Sequence, residues 1–114
     1  METVEFLILK NLLHNEEYVR KVIPFIKGDY FEDRNQKIVF EEIIKFVEEY
    51  NQPATKEILC IEAEKRQDIT DDSFKEITQL ISSLDDQSSE FDWLVNTTEK
   101  WCRDRAIYLA LMES

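Results

Sequence analysis

A single glycine, Gly28, and two prolines, Pro24 and Pro53, are spread over 114 residues. An all-β meander needs many tight turns and positive-φ positions, which this chain cannot supply. The fold class expected is therefore all-α. The length suits one domain with its own core and is too short for two. Apolar spacing and capping residues predict a small bundle of about five main helices, with residues 1–88 as the bundle and residues 89–114 as a C-terminal helix leading into a hairpin or linker.

The first helix is expected from about Thr3 to Leu13, with Val4, Leu7, Ile8 and Leu12 on one face. Phe6, Leu9 and Leu13 widen that stripe beyond what a surface helix carries, so it belongs deep in the core. Asn15 offers a cap to a short helix whose first turn holds Glu16 and Glu17, and Pro24 ends or bends it. After the turn Gly28-Asp29-Tyr30-Phe31, Asp33 and Gln36 have the spacing of a capping box for a long helix to about Asn51. Its acidic pairs Glu41-Glu42 and Glu48-Glu49 read as a solvated face. Pro53 and Thr55 introduce a shorter helix ending near Arg66; Gln67 to Thr70 form a loop, and Phe74, Ile77, Leu80, Ile81 and Leu84 repeat at helical spacing. Asp85 to Ser88 break that helix, and Ser89 with Asp92 matches the start signal for a last one.

Charge and motifs exclude several function classes. With 25 acidic against 14 basic side chains the net charge is −11, which repels nucleic acid, so direct DNA binding is not expected. Aromatic residues such as Tyr30, Phe31, Trp93, Trp101 and Tyr108 could stack on bases, but such platforms accompany a positive groove. Gly28 alone cannot write a phosphate-cradling loop, and neither Asp71-Asp72 nor Asp85-Asp86 has calcium-loop spacing. His14, the only histidine, has no Ser or Cys partner nearby in sequence and reads as a helix-end residue. Cys60 and Cys102 lack ligand spacing and read as two buried thiols in a reducing compartment. No catalytic, cofactor-binding or metal-binding residue is expected. No basic leader and no span-length apolar run is seen, so a cytoplasmic location without membrane contact is expected.

Two regions carry a resemblance to a known family. The apolar opening helix, the short helix ending near Ile23, the Asp29-Tyr30-Phe31 turn, and Ile38, Phe40, Ile43 and Tyr50 resemble the N-terminal domain of DnaB-family replicative DNA helicases. The run Trp93-Leu94-Val95, Thr98-Glu99-Lys100 and Arg105-Ala106 looks like the helicases of T-even-type phages within that family. The resemblance implies a helical bundle followed by a helical hairpin, self-association into the collar of a hexamer, and contact with primase and helicase loader. It also implies that ATP and magnesium are bound by a motor domain absent from this sequence, so this chain is not expected to be an enzyme although its parent is an ATP-dependent DNA helicase. In the host cell the protein of a phage would be cytoplasmic.

The residues support a contact role on their own account. Ala106 to Met112 is an unbroken apolar run, which on a helix makes every face greasy. Trp101, Tyr108, Leu109, Leu111 and Met112 are therefore the expected partner-binding residues; the competing expectation is that this end folds back on its own core. A free-standing acidic helical adaptor or DNA mimic would use the same charge and helices. A small helical enzyme is the weaker rival.

Overall fold

The computed structural model describes residues 3–87 and 89–113. Six α-helices are formed among them: α1 (Val4–His14), α2 (Glu16–Val22), α3 (Arg34–Tyr50), α4 (Lys56–Glu64), α5 (Asp71–Ser83) and α6 (Phe91–Glu113). A 3₁₀ turn, Gly28–Tyr30, connects α2 to α3, and no strand occurs among the described residues. The all-α expectation holds, with the short α2 as a sixth element.

Side-chain caps hold four helix starts, with Thr3, the expected first residue of α1, serving as its cap. Thr3, Asn15, Thr55 and Thr70 accept from the backbone N–H groups of Phe6, Tyr18, Ile58 and Ser73, which would otherwise be orphaned in the first turn. Asp33 does the same for Asn35 at the start of α3. Asn51, with φ 53°, ends α3 in the left-handed conformation that asparagine tolerates.

One start differs from the expected signal. Glu90, not Ser89, caps α6: its carboxylate accepts from the N–H groups of Asp92 at 3.2 Å and Trp93 at 2.6 Å. Two carboxylate oxygens capture two orphan donors, with charge favourable to the helix dipole, so the longer acid wins over the hydroxyl beside it. Ser88, part of the expected break, lies outside the described residues.

The core has two flanks sharing α1. On one, α3, α4 and α5 pack on each other and α3 on α1; on the other, α6 packs on α1, α2 and the 3₁₀ turn. Ile8, Leu9 and Leu12 are fully buried, as the broad stripe of α1 requires. His14 Nε2 donates to the Leu84 carbonyl at 2.8 Å, tying the end of α1 to the end of α5. Lys56 reaches the Ser82 carbonyl and Asn35 reaches Glu76, so side chains also hold α5 against α4 and α3.

Two sequence expectations need correction here. Glu42 is buried, not solvated: it lies one turn beyond Ile38 and Val39, at the edge of the core stripe of α3. Arg66, just past α4, compensates it, donating from Nη1 to Glu42 Oε2 at 2.7 Å while gripping Asp68 with Nε and Nη2 at 2.9 and 2.8 Å. Glu48 and Glu49 are exposed as expected. Of the two thiols, Cys102 is buried but Cys60 only half-buried, because α4 is covered on one side alone.

Candidate protein-contact surface

The helix α6, at 23 residues, rises roughly 34 Å. That matches the longest extent of the molecule, 34 Å. Its N-terminal part belongs to the core, with Leu94, Val95, Thr98 and Cys102 buried. Thr98 is fully buried and its hydroxyl donates to the Leu94 carbonyl at 2.7 Å. That proton being used, Tyr18 is the donor in the 2.6 Å bond between the two hydroxyls. Burial keeps the Tyr18 hydroxyl protonated by pushing its pKa far up, against the opposing pull of Thr98. Burial, with a smaller contribution from the Glu99 charge, pushes Cys102 up to about 12 and makes it a packing residue, not a nucleophile.

The middle of α6 is anchored by two residues of different standing in the sequence reading. Trp101, one of the expected partner-binding residues, is half-buried: its indole N–H donates to Glu5 at 2.8 Å, and its ring lies 4.9 Å from Phe31 and edge-on to Tyr30. Phe31 in turn packs on Phe40 at 5.1 Å, so the turn after Gly28 is a core anchor. Arg105, which the sequence offers only as part of the family-like run, donates from Nε to the Tyr30 carbonyl at 2.7 Å and from Nη1 to Glu32 at 3.1 Å. Arginine in the Arg105-Ala106 dipeptide carried no local signal of this, since its acceptors lie some seventy positions away in sequence.

Beyond Arg105 the helix leaves the bundle. Ile107, Tyr108, Leu111 and Met112 are 55%, 47%, 70% and 68% exposed. Leu109 alone of this apolar run packs against the core, because it continues the stripe of Thr98, Cys102 and Arg105. The fold-back alternative is therefore realised only at Leu109. The Arg105 guanidinium sits 4.9 Å over the Tyr108 ring and holds that side chain on the helix surface. Trp93, also half-exposed, lies on the same side of α6 as Leu111, five turns away by helical period.

This arrangement offers no reactive constellation. Among the described residues no group of three or more His, Cys, Asp and Glu side chains is placed to hold a metal ion, and no helix is long and apolar enough to cross a membrane. What it offers is an ordered helix end with large apolar side chains turned to solvent, the composition of a contact core.

The six-helix order, the 3₁₀ turn packed on the last helix and the helix end projecting past the bundle can be set beside known proteins. Residues 1–92 match the family model described as the DnaB-like helicase N-terminal domain. The chain belongs to that family. A DnaB-like replicative helicase of Enterobacteria phage T4 is 32% identical over 104 residues, which cover 91% of this chain and 22% of that protein. The chain thus spans about a fifth of the length of that relative. The matched family region ends within the first turn of α6, so most of that helix lies beyond it.

Proposed function

We propose that this DnaB-like N-terminal domain is a self-association and partner-contact module of a replicative DNA helicase, supporting ring assembly and engaging primase and loader. The observation that carries the reading is the ordered, exposed apolar end of α6, with Ile107, Tyr108, Leu111 and Met112 on a helix whose other end is fixed in the core. Apolar surface of this kind is stabilised by burial, at roughly 25 cal/mol per Å² removed from water. The net charge of −11 opposes bringing copies together. Association should therefore strengthen as added salt shortens the Debye length from about 30 Å at 0.01 M to about 8 Å at physiological strength.

In this reading DNA translocation and ATP hydrolysis belong to the parent helicase and not to this domain, whose sequence has no phosphate-cradling loop. Direct binding of single-stranded DNA is not part of its role, given the acidic charge.

Sedimentation over a concentration series at low and high salt tests the reading. The wild-type domain should show a dimer or higher species that grows with salt, and Leu111→Glu should return it to monomer, because an unpaired charge in an apolar contact is costly to desolvate. A strict monomer at every concentration and salt would reject self-association through this helix.

A further inference from the structure

The α3–α4 side of the molecule holds a second surface of different chemistry. Glu42, with a 7% exposed side chain, uses Oε2 for Arg66 but leaves Oε1 buried with no hydrogen-bond donor. Lys45 Nζ lies 3.9 Å from that oxygen, within ion-pair range but too far for a hydrogen bond, on a side chain 62% exposed. Leaving a buried carboxylate oxygen without a donor costs its desolvation with no return.

Glu42, Lys45, Glu62 and Lys65 line two adjoining concavities, of about 590 and 340 Å³. The first continues to Arg66 and Asp68; the second ends on Phe46 and Tyr50, whose rings lie tilted against each other 4.7 Å apart with Tyr50 57% exposed. Together they make a groove that Glu42, with its buried Oε1 lacking a hydrogen-bond donor, helps to line, with the Phe46 and Tyr50 rings at one end.

We infer that this groove docks a basic segment of a partner protein, one cationic side chain displacing Lys45 to bond Glu42 Oε1 while a neighbouring apolar side chain rests on the Phe46–Tyr50 shelf. Three observations favour a basic protein segment over other occupants. The oxygen lacks a donor, which a guanidinium or ammonium supplies as a charge-assisted bond. The aromatic shelf asks for a side chain beside the cation. The net charge of −11 draws basic partners. Lys45 is then a resident cation that holds the site at low cost and yields it to a better-placed donor. The groove does not involve α6, so it is separable from the self-association surface.

The test uses the acetylated, amidated dipeptide of arginine and phenylalanine, titrated at constant ionic strength into ¹⁵N-labelled domain and followed by amide chemical shifts. Saturable shifts confined to the 41–50 and 62–66 stretches are expected. Glu42→Gln should weaken binding about tenfold, the scale of one charge-assisted bond. Lys45→Met should tighten it, because the competing cation is gone while a side chain of similar length is kept. Shifts spread evenly over the acidic surface, with the Thr70 end of α5 moving as much as α3, would overturn the inference. So would Glu42→Gln that folds and binds unchanged. Should Glu42→Gln fail to fold, the exposed Lys45→Met decides alone: tighter binding supports the site, and unchanged or weaker binding rejects it.

Discussion

The two ends of α6 both carry large apolar side chains and meet opposite fates. Leu94 and Val95 near its start are 1% and 6% exposed, whereas Leu111 and Met112 near its end are mostly exposed. Hydropathy alone would rank them the other way, since Asp92 and Asn96 interrupt the buried start while Ala106 to Met112 is unbroken. The difference is whether another element lies opposite: α1, α2 and the 3₁₀ turn cover the first part, and the helix has outrun them by Ile107. A greasy helix is thus core at one end and solvent-exposed at the other, and the anchors Trp101 and Arg105 mark the boundary.

The sharpest way to break this contrast is to remove the anchor. Phe31→Ala takes away the ring on which Trp101 and Phe40 pack and should destabilise the domain by about 3–5 kcal/mol, read from chemical denaturation. An unchanged midpoint would mean that α6 is held otherwise. Thr98→Val comes next: it strips the acceptor from the buried Tyr18 hydroxyl and should cost about 1–3 kcal/mol. Adding Tyr18→Phe should recover much of that loss, since both polar partners are then gone; a purely additive double variant would show that the hydroxyl pair is not the cause.

At the far end, Met112→Ala should change monomer stability by less than about 0.5 kcal/mol, as for other exposed positions. A loss comparable to Thr98→Val would place Met112 in the core and erase the contrast between the two ends.

The smallest effect is expected on the opposite flank, where pH sharpens the comparison. The Arg66 guanidinium beside Asp68 holds its carboxyl down to about 2, from 3.8. A folded-state pKa below the unfolded value gives stability that is present above about pH 4 and lost as pH falls towards 2. Asp68 is solvent-exposed, so screening keeps the effect modest. Comparing Asp68→Asn with the wild type by thermal melts from pH 7 to pH 2 should show a small deficit at neutral pH that closes in acid. A deficit that widens in acid would contradict the pairing.

Much of this was legible in the chain. Thr3, Asn15, Asp33, Thr55 and Thr70 all cap the helices that their positions announce, because a cap acts on N–H groups two or three residues away. The apolar run from Ala106 to Met112 marks a stretch of α6 that is largely exposed, although Trp101 is committed to Glu5 and Phe31, and Leu109 to the core. Ile107 belongs with the exposed set by the same criterion that selected Tyr108.

The chain by itself determined the helical class, the helix limits and the family-like order of elements, since these depend on spacing and capping over a few residues. Tertiary structure alone decided that Glu42 is buried against Arg66 with one oxygen lacking a donor, that Arg105 pins the last helix to Tyr30 and Glu32, and where along α6 the core stops. Each of these joins residues far apart in sequence, and burial is set by whatever packs opposite, which no local pattern encodes.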